Sequence, residues 1–172
     1  MEDHFQERYV KHQQQKGEVL QQIVEERHSS RIFSDKTVSG EDIDTLLAHS
    51  LYCPSSCNRH AIELSIISDK DLKNLLGGIL VGGVGWINRA SHIILIFADS
   101  VAYKAGDEVK FMPYLDAGII IHQLYLTSAA LRLKCCYVNP NIREMNYDHF
   151  KKVFSDKIFC GAFAIGKEVS VA

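Results

Sequence analysis

The chain lacks a dominant charge: 19 Lys and Arg face 21 Asp and Glu across 172 residues, a formal charge of −2. Nucleic-acid binders usually carry a positive domain, so that class is disfavoured. No apolar run approaches the ~18 residues of a membrane-crossing helix. The opening stretch MEDHFQERYVKHQQQKGEV has no apolar segment of the kind a secretory signal needs. Five cysteines, an odd number, without an export signal read as reduced thiols, and the expected compartment is the cytoplasm. With 3 prolines and 11 glycines the chain is neither collagen-like nor low-complexity. Its 47% hydrophobic content excludes disorder. A chain of this size buries ~70% of its extended surface and needs no staples. The expected organisation is a polar helix or tail over residues 1–16, with Gln13, Gln14 and Gln15, and a single domain over 17–172.

Val19, Leu20, Ile23 and Val24 predict a helix to about Arg27. Ser39 and Asp42 form a capping pattern ahead of Ile43, Leu46 and Leu47, and that helix should stop before Pro54. Residues 61–67 alternate as a strand. Ser68 and Asp71 open a short helix that Gly77 and Gly78 should close. Residues 91–98, SHIILIFA, read as a buried strand, and 101–111 as a polar loop. Pro113 suits a first turn, with a long helix from Tyr114. There Leu115, Ile119, His122, Leu126, Ala129 and Leu133 fall at heptad spacing, while Ile120, Leu124 and Leu131 fill other faces. A helix apolar nearly all round is central or lies at a subunit interface. Residues 135–138 and 158–165 read as strands, with a helix between them capped by Asn146. The fold class is α+β, one central sheet packed by helices.

Three segments are candidates for chemistry. Arg27-His28-Ser29-Ser30-Arg31 puts two guanidiniums beside hydroxyls at a helix end, a set that either holds a phosphate or forms a surface charge cluster. Pro54-Ser55-Ser56-Cys57-Asn58 offers hydroxyls and an amide to a polar ring edge, or is simply a turn. Asp116-Ala117-Gly118 places an acid at an expected helix start, and its glycine hints at a close neighbour. Cys53, Cys57 and His60 have loose metal-like spacing without a second Cys pair, so free thiols are expected and no metal. Gly82-Gly83-Val84-Gly85 reads as a turn, Trp86 as packing, and His122 as a core or interface histidine.

The order of these segments resembles the FMN-dependent nitroreductase family, in its short form. RHSSRIF is similar to the family's Arg-(Arg/His)-Ser-x-(Arg/Lys)-x-Phe opening, and PSSCN to its Pro-Ser-Ser-x-Asn loop. YLDAGIIIHQLYLTSAALRLKCCYV is similar to its long Asp-Ala-Gly helix and following strand, so the likeness runs from about Val19 to Ile165. It implies a mainly antiparallel central sheet flanked by helices, with the long helix at the interface of a homodimer whose two FMN sites lie between subunits. It also implies cofactor-binding roles. Arg27, His28, Ser29 and Arg31 match the positions holding the FMN phosphate and ribityl chain, with Arg31 near the flavin N1/O2 edge. Pro54, Ser55, Ser56 and Asn58 match the loop that reaches FMN from the partner subunit, and Asn139 the backbone N–H facing flavin N5. A cation at N1/O2 stabilises the charge left there when hydride arrives at N5. No side-chain general acid is required, so no catalytic residue is nominated.

The chain departs from the family pattern. Arg59-His60-Ala61-Ile62 stands where x-Gln-Pro-Trp is usual, and Leu131-Arg132-Leu133-Lys134 where Leu-Gly-Leu-Gly is common. Many members also carry basic residues after the last strand, where this sequence offers Lys167. Weaker, more salt-sensitive FMN binding is therefore expected. The expected function is a ping-pong NAD(P)H oxidoreductase reducing a nitroaromatic, quinone or similar conjugated acceptor. The alternative is a shortened flavin-binding or flavin-less relative acting as a non-catalytic interaction module.

Overall fold

The computed structural model describes residues 2–169, and for residues 2–10 the backbone alone. In chain order the elements are α1 (Glu2–Glu26), α2 (Gly40–Ser50), β1 (Ile62–Ile67), α3 (Lys70–Ile79), β2 (His92–Ala98), α4 (Glu108–Ala130), β3 (Lys134–Val138), α5 (Glu144–Val153) and β4 (Ile158–Gly166). The strands form one sheet in the order β1-β2-β4-β3, every pair antiparallel.

Alternation along β2 divides the core in two. Ile94, Ile96 and Ala98 face a layer with Ile43 and Leu46 of α2 and Ala117 and Leu124 of α4. Ile93, Leu95 and Phe97 face the opposite layer, with Leu76 and Ile79 of α3 and Phe150 of α5. Successive strand side chains point to opposite faces, so a continuous apolar run is what a strand covered on both sides requires. A bulge between Ile96 and Phe97 interrupts the register opposite β4. Gly161, paired with Ile96, has φ +120, and a Cβ there would sit 2.5 Å from the Tyr137 ring.

Several helix ends differ from the sequence expectation. Ser39 caps α2 as expected, accepting the Asp42 N–H at 3.2 Å. Asp69 rather than Ser68 caps α3, accepting from Asp71 and Leu72. That helix runs through Gly77 and Gly78 to Ile79, because burial of Leu76 and Ile79 outweighs the ~1 kcal/mol each glycine costs. The expected loop 101–111 ends early: α4 starts at Glu108, so Pro113 is internal. Val109 and Met112 pack on the core and sustain the extra turn. Asn146 does not cap α5, which starts at Glu144 with no side-chain cap and is anchored instead by buried Phe150.

Two apolar surfaces stay open. On α4, Phe111, Leu115 and Ile119 are exposed at four-residue spacing, beside Tyr114. Gly118 lies on the same open side with nothing near its Cβ position, so the close neighbour expected there does not come from this chain. On α1, residues 11–22 are exposed on all sides, with Val19 and Leu20 each 56% exposed. Among the residues of this helix whose side chains are described, Ile23 is the first that is partly buried.

Candidate functional site

After α1 the backbone becomes extended and is tied to the sheet at both ends. The Ser30 N–H donates to the Cys135 carbonyl of β3 at 2.7 Å, and the Ser34 N–H to the Lys167 carbonyl at 3.0 Å. Phe33 lies against Gly166, where a Cβ would come within 2.6 Å of its ring. The Arg27 guanidinium lies 5.5 Å from the centre of the Tyr125 ring, and that of Arg31 5.7 Å from the Trp86 ring. Neither arginine is ion-paired among the described residues. Aromatic faces attract a guanidinium without neutralising it, so both keep their donors for an anion.

Tyr125 is the pivot of this segment. Its hydroxyl accepts the Tyr137 N–H at 2.8 Å and shares a hydrogen bond with Ser29 Oγ at 2.9 Å. Burial raises its pKa, so it stays a neutral phenol. Tyr125→Phe should remove both bonds and leave a half-buried N–H without its acceptor. A loss of about 1–3 kcal/mol in urea unfolding is expected. His28 Nδ1 lies 2.9 Å from the Glu26 carbonyl, and its Nε2 lies 3.4 Å from Lys134 Nζ.

The second segment is shaped by a buried acid. Asp116 is 2% exposed and sits within α4, not at its start. Its Oδ1 accepts the Ser56 N–H at 2.9 Å and the Ser56 hydroxyl at 2.8 Å, while Oδ2 accepts the Tyr103 hydroxyl at 3.0 Å. Burial, reinforced by Asp116, raises the Tyr103 pKa strongly. Cys57, Asn58 and His60 all adopt positive φ, at 51°, 57° and 49°. Such strain persists only where surrounding bonds over-determine it. Here Ser55 Oγ accepts the His60 N–H, His60 Nε2 meets Asn58 Oδ1 at 2.8 Å, and Arg59 pairs with Glu108. The serine hydroxyls therefore hold the loop's shape, and the Asn58 amide nitrogen remains as an outward donor.

Both segments lean on α4, one near Asp116 and the other near Tyr125. Nine residues of helix at 1.5 Å each separate these anchors by roughly 13 Å. A cavity of 460 Å³ beside the loop is lined by Pro54, Ser55, His60, Asp116, Leu47 and Ile120, and by none of residues 27–31. Asn139 is exposed just beyond β3, with its carbonyl accepting the Asn141 N–H. Lys167 is engaged elsewhere: it pairs with Asp42 at 2.8 Å and draws that carboxyl below its usual pKa. All five cysteines are free thiols, and burial lifts Cys135 and Cys160 to about 12. No set of three or more potential metal ligands forms among the described residues. Among them also, no helix is long and apolar enough to cross a membrane.

The sequence pattern missed Tyr103, Glu108 and Tyr125, and gave Asp116 the wrong surroundings. An acid inside an otherwise apolar helix was the available signal, because a buried carboxylate must find donors.

Residues 24–85 match the model of the nitroreductase family. A Bacillus subtilis FMN reductase [NAD(P)H] is 30% identical over 83 residues, 48% of this chain and 32% of that protein. The matches span 32% to 40% of the length of the first curated relatives. Among solved structures, an FMN-dependent nitroreductase of Clostridium difficile superposes with a TM-score of 0.72 at 24% identity, over 88% of each chain. A nitroreductase family protein of Streptococcus pneumoniae gives 0.75 at 14% identity, over 87% of this chain and 90% of that one. These likenesses establish the fold over most of the chain, and the sequence match covers the two segments that precede and follow α2. Residues 24–85 thus carry the sequence pattern of the nitroreductase family, and the antiparallel sheet and long helix share the fold of these solved structures.

Proposed function

We propose that this chain is an FMN-dependent NAD(P)H oxidoreductase acting as a homodimer. The observation that carries the proposal is the pair Arg27 and Arg31. Both are held on a segment pinned to the sheet, cradled by aromatic rings and unpaired among the described residues. That arrangement fits a phosphorylated, planar cofactor. Arg27, His28 and Ser29 would hold the phosphate and ribityl chain, and Arg31 would supply fixed positive charge at the pyrimidine edge. Arginine suits that role because it stays charged at any working pH. Asn58 would offer its amide, and Asn139 its backbone N–H. Bound FMN supplies hydride chemistry, accepting from NAD(P)H and donating to a nitroaromatic, quinone or similar conjugated acceptor in alternating half-reactions.

The same geometry supports the dimer. Pro54–Asn58 and Arg27–Arg31 lean on α4 roughly 13 Å apart, so a second copy is the natural source of the loop at each site. The open apolar faces of α1 and α4 provide surface for that copy. Sedimentation at micromolar concentration should find a dimer, and a stable folded monomer holding flavin would contradict the shared site. The activity itself is tested by adding FMN and recording the visible spectrum. Flavin bands that bleach with NADH or NADPH and return with a quinone are expected. A protein that ignores added FMN would instead be a non-catalytic interaction module.

A further inference from the structure

A second polar cavity, of 780 Å³, opens between residues 33–37, the first turns of α3 and the residues leading into β2. Its walls carry Lys36, Lys70, Lys73, Arg89 and His92 against a single carboxylate, Asp35. None of the four Lys and Arg side chains is ion-paired among the described residues. Clustered like charges on concave walls focus an attractive field for a counter-ion.

Two of these groups are fixed in place. Lys73 Nζ donates to the carbonyls of Ala90 and Ser91, at 2.8 and 3.0 Å, which leaves one of its three N–H groups uncommitted. Burial lowers its pKa against the opposing charge of Asp69, so this ammonium is poorly solvated. Ser91 Oγ accepts the Val38 N–H at 2.8 Å and meets His92 Nδ1 at 3.0 Å, which orients the imidazole. Ser34 also lines the cavity, and its buried hydroxyl has no hydrogen-bond partner.

We propose that this cavity binds a small phosphorylated molecule through its phosphate groups. A phosphate presents several acceptor oxygens and close to two negative charges at neutral pH. Lysines serve such a group as point charges, and a guanidinium adds directed donors. Thr37, Asn74 and Asn88 in the walls supply neutral polar groups around it. The site uses none of Arg27, Ser29, Asn58 or Asn139, and so stands apart from the flavin reading.

Pyrophosphate is the probe, titrated into the full chain by calorimetry and by NMR of the His92 ring. Wild type is compared with Lys36→Ala/Lys70→Ala, whose side chains lie on the surface, and with Arg27→Ala/Arg31→Ala. Saturable binding that moves the His92 signals is expected. It should survive in the arginine variant and weaken about tenfold or more in the lysine variant, with circular dichroism and FMN titration unchanged in the latter. The proposal is overturned if His92 does not respond, if binding is absent, or if the arginine pair rather than the lysine pair removes it.

Discussion

Asp116→Ala is expected to destabilise the chain by roughly 3 kcal/mol or more and to weaken FMN binding as well. The carboxylate is the shared acceptor for the Ser56 N–H, the Ser56 hydroxyl and the Tyr103 hydroxyl. Ser56 is half-buried and can turn to water, but Tyr103 is 6% exposed and cannot. Its stranded hydroxyl accounts for much of the loss. The Ser56–Asp116 bonds also restrain a loop with three non-glycine residues at positive φ. Without them the strained geometry loses its tether to α4, and the Asn58 amide loses a fixed position. Asp116→Asn keeps one acceptor oxygen and should cost about half as much, and Ser56→Ala about 1 kcal/mol. Urea unfolding of the three variants gives the order. If Asp116→Ala costs no more than Ser56→Ala, Tyr103 does not depend on the acid and the network does not hold the loop.

The architecture was legible where pattern and burial coincide. SHIILIFA could be read as a strand covered on both faces because its alternate residues serve two apolar layers. Ser39 could be read as a cap because its bond to Asp42 is local. Elements decided by distant contacts were not legible. The first turns of α4 resemble a polar loop until Val109 and Met112 meet the core and Glu108 meets Arg59. The segments RHSSR and PSSCN could be picked out as candidates by residue type. What their hydroxyls do could not be foreseen, because Ser29 bonds a tyrosine 96 positions away and Ser56 an acid 60 positions away. Lys167 looked like a cation available to a phosphate, and its partner Asp42 lies 125 positions earlier.

Arg27→Ala should lower FMN affinity by one to two decades and leave the fold intact. The phosphate carries close to two negative charges at neutral pH, and a charged hydrogen bond to it is worth ~1.5–3 kcal/mol. Lys167 is committed to Asp42 and does not compensate. Arg27 is half-buried over Tyr125, whereas Arg31 is exposed over Trp86. Salt screens exposed charges more than sheltered ones. Raising the ionic strength should therefore weaken wild-type binding chiefly through Arg31, and Arg31→Ala should flatten the salt dependence. Because Arg31 is assigned to the pyrimidine edge, its loss should also lower the flavin's reduction potential, which loss of Arg27 should leave nearly unchanged. Fluorescence quenching of FMN at low and high salt measures the affinities, and equilibration with a redox dye measures the potentials. If both variants bind FMN as tightly as wild type, the phosphate is held by other groups and the assignment of this segment fails. If they lose affinity equally and neither shifts the potential, the segment is an anion site without a role in tuning the flavin.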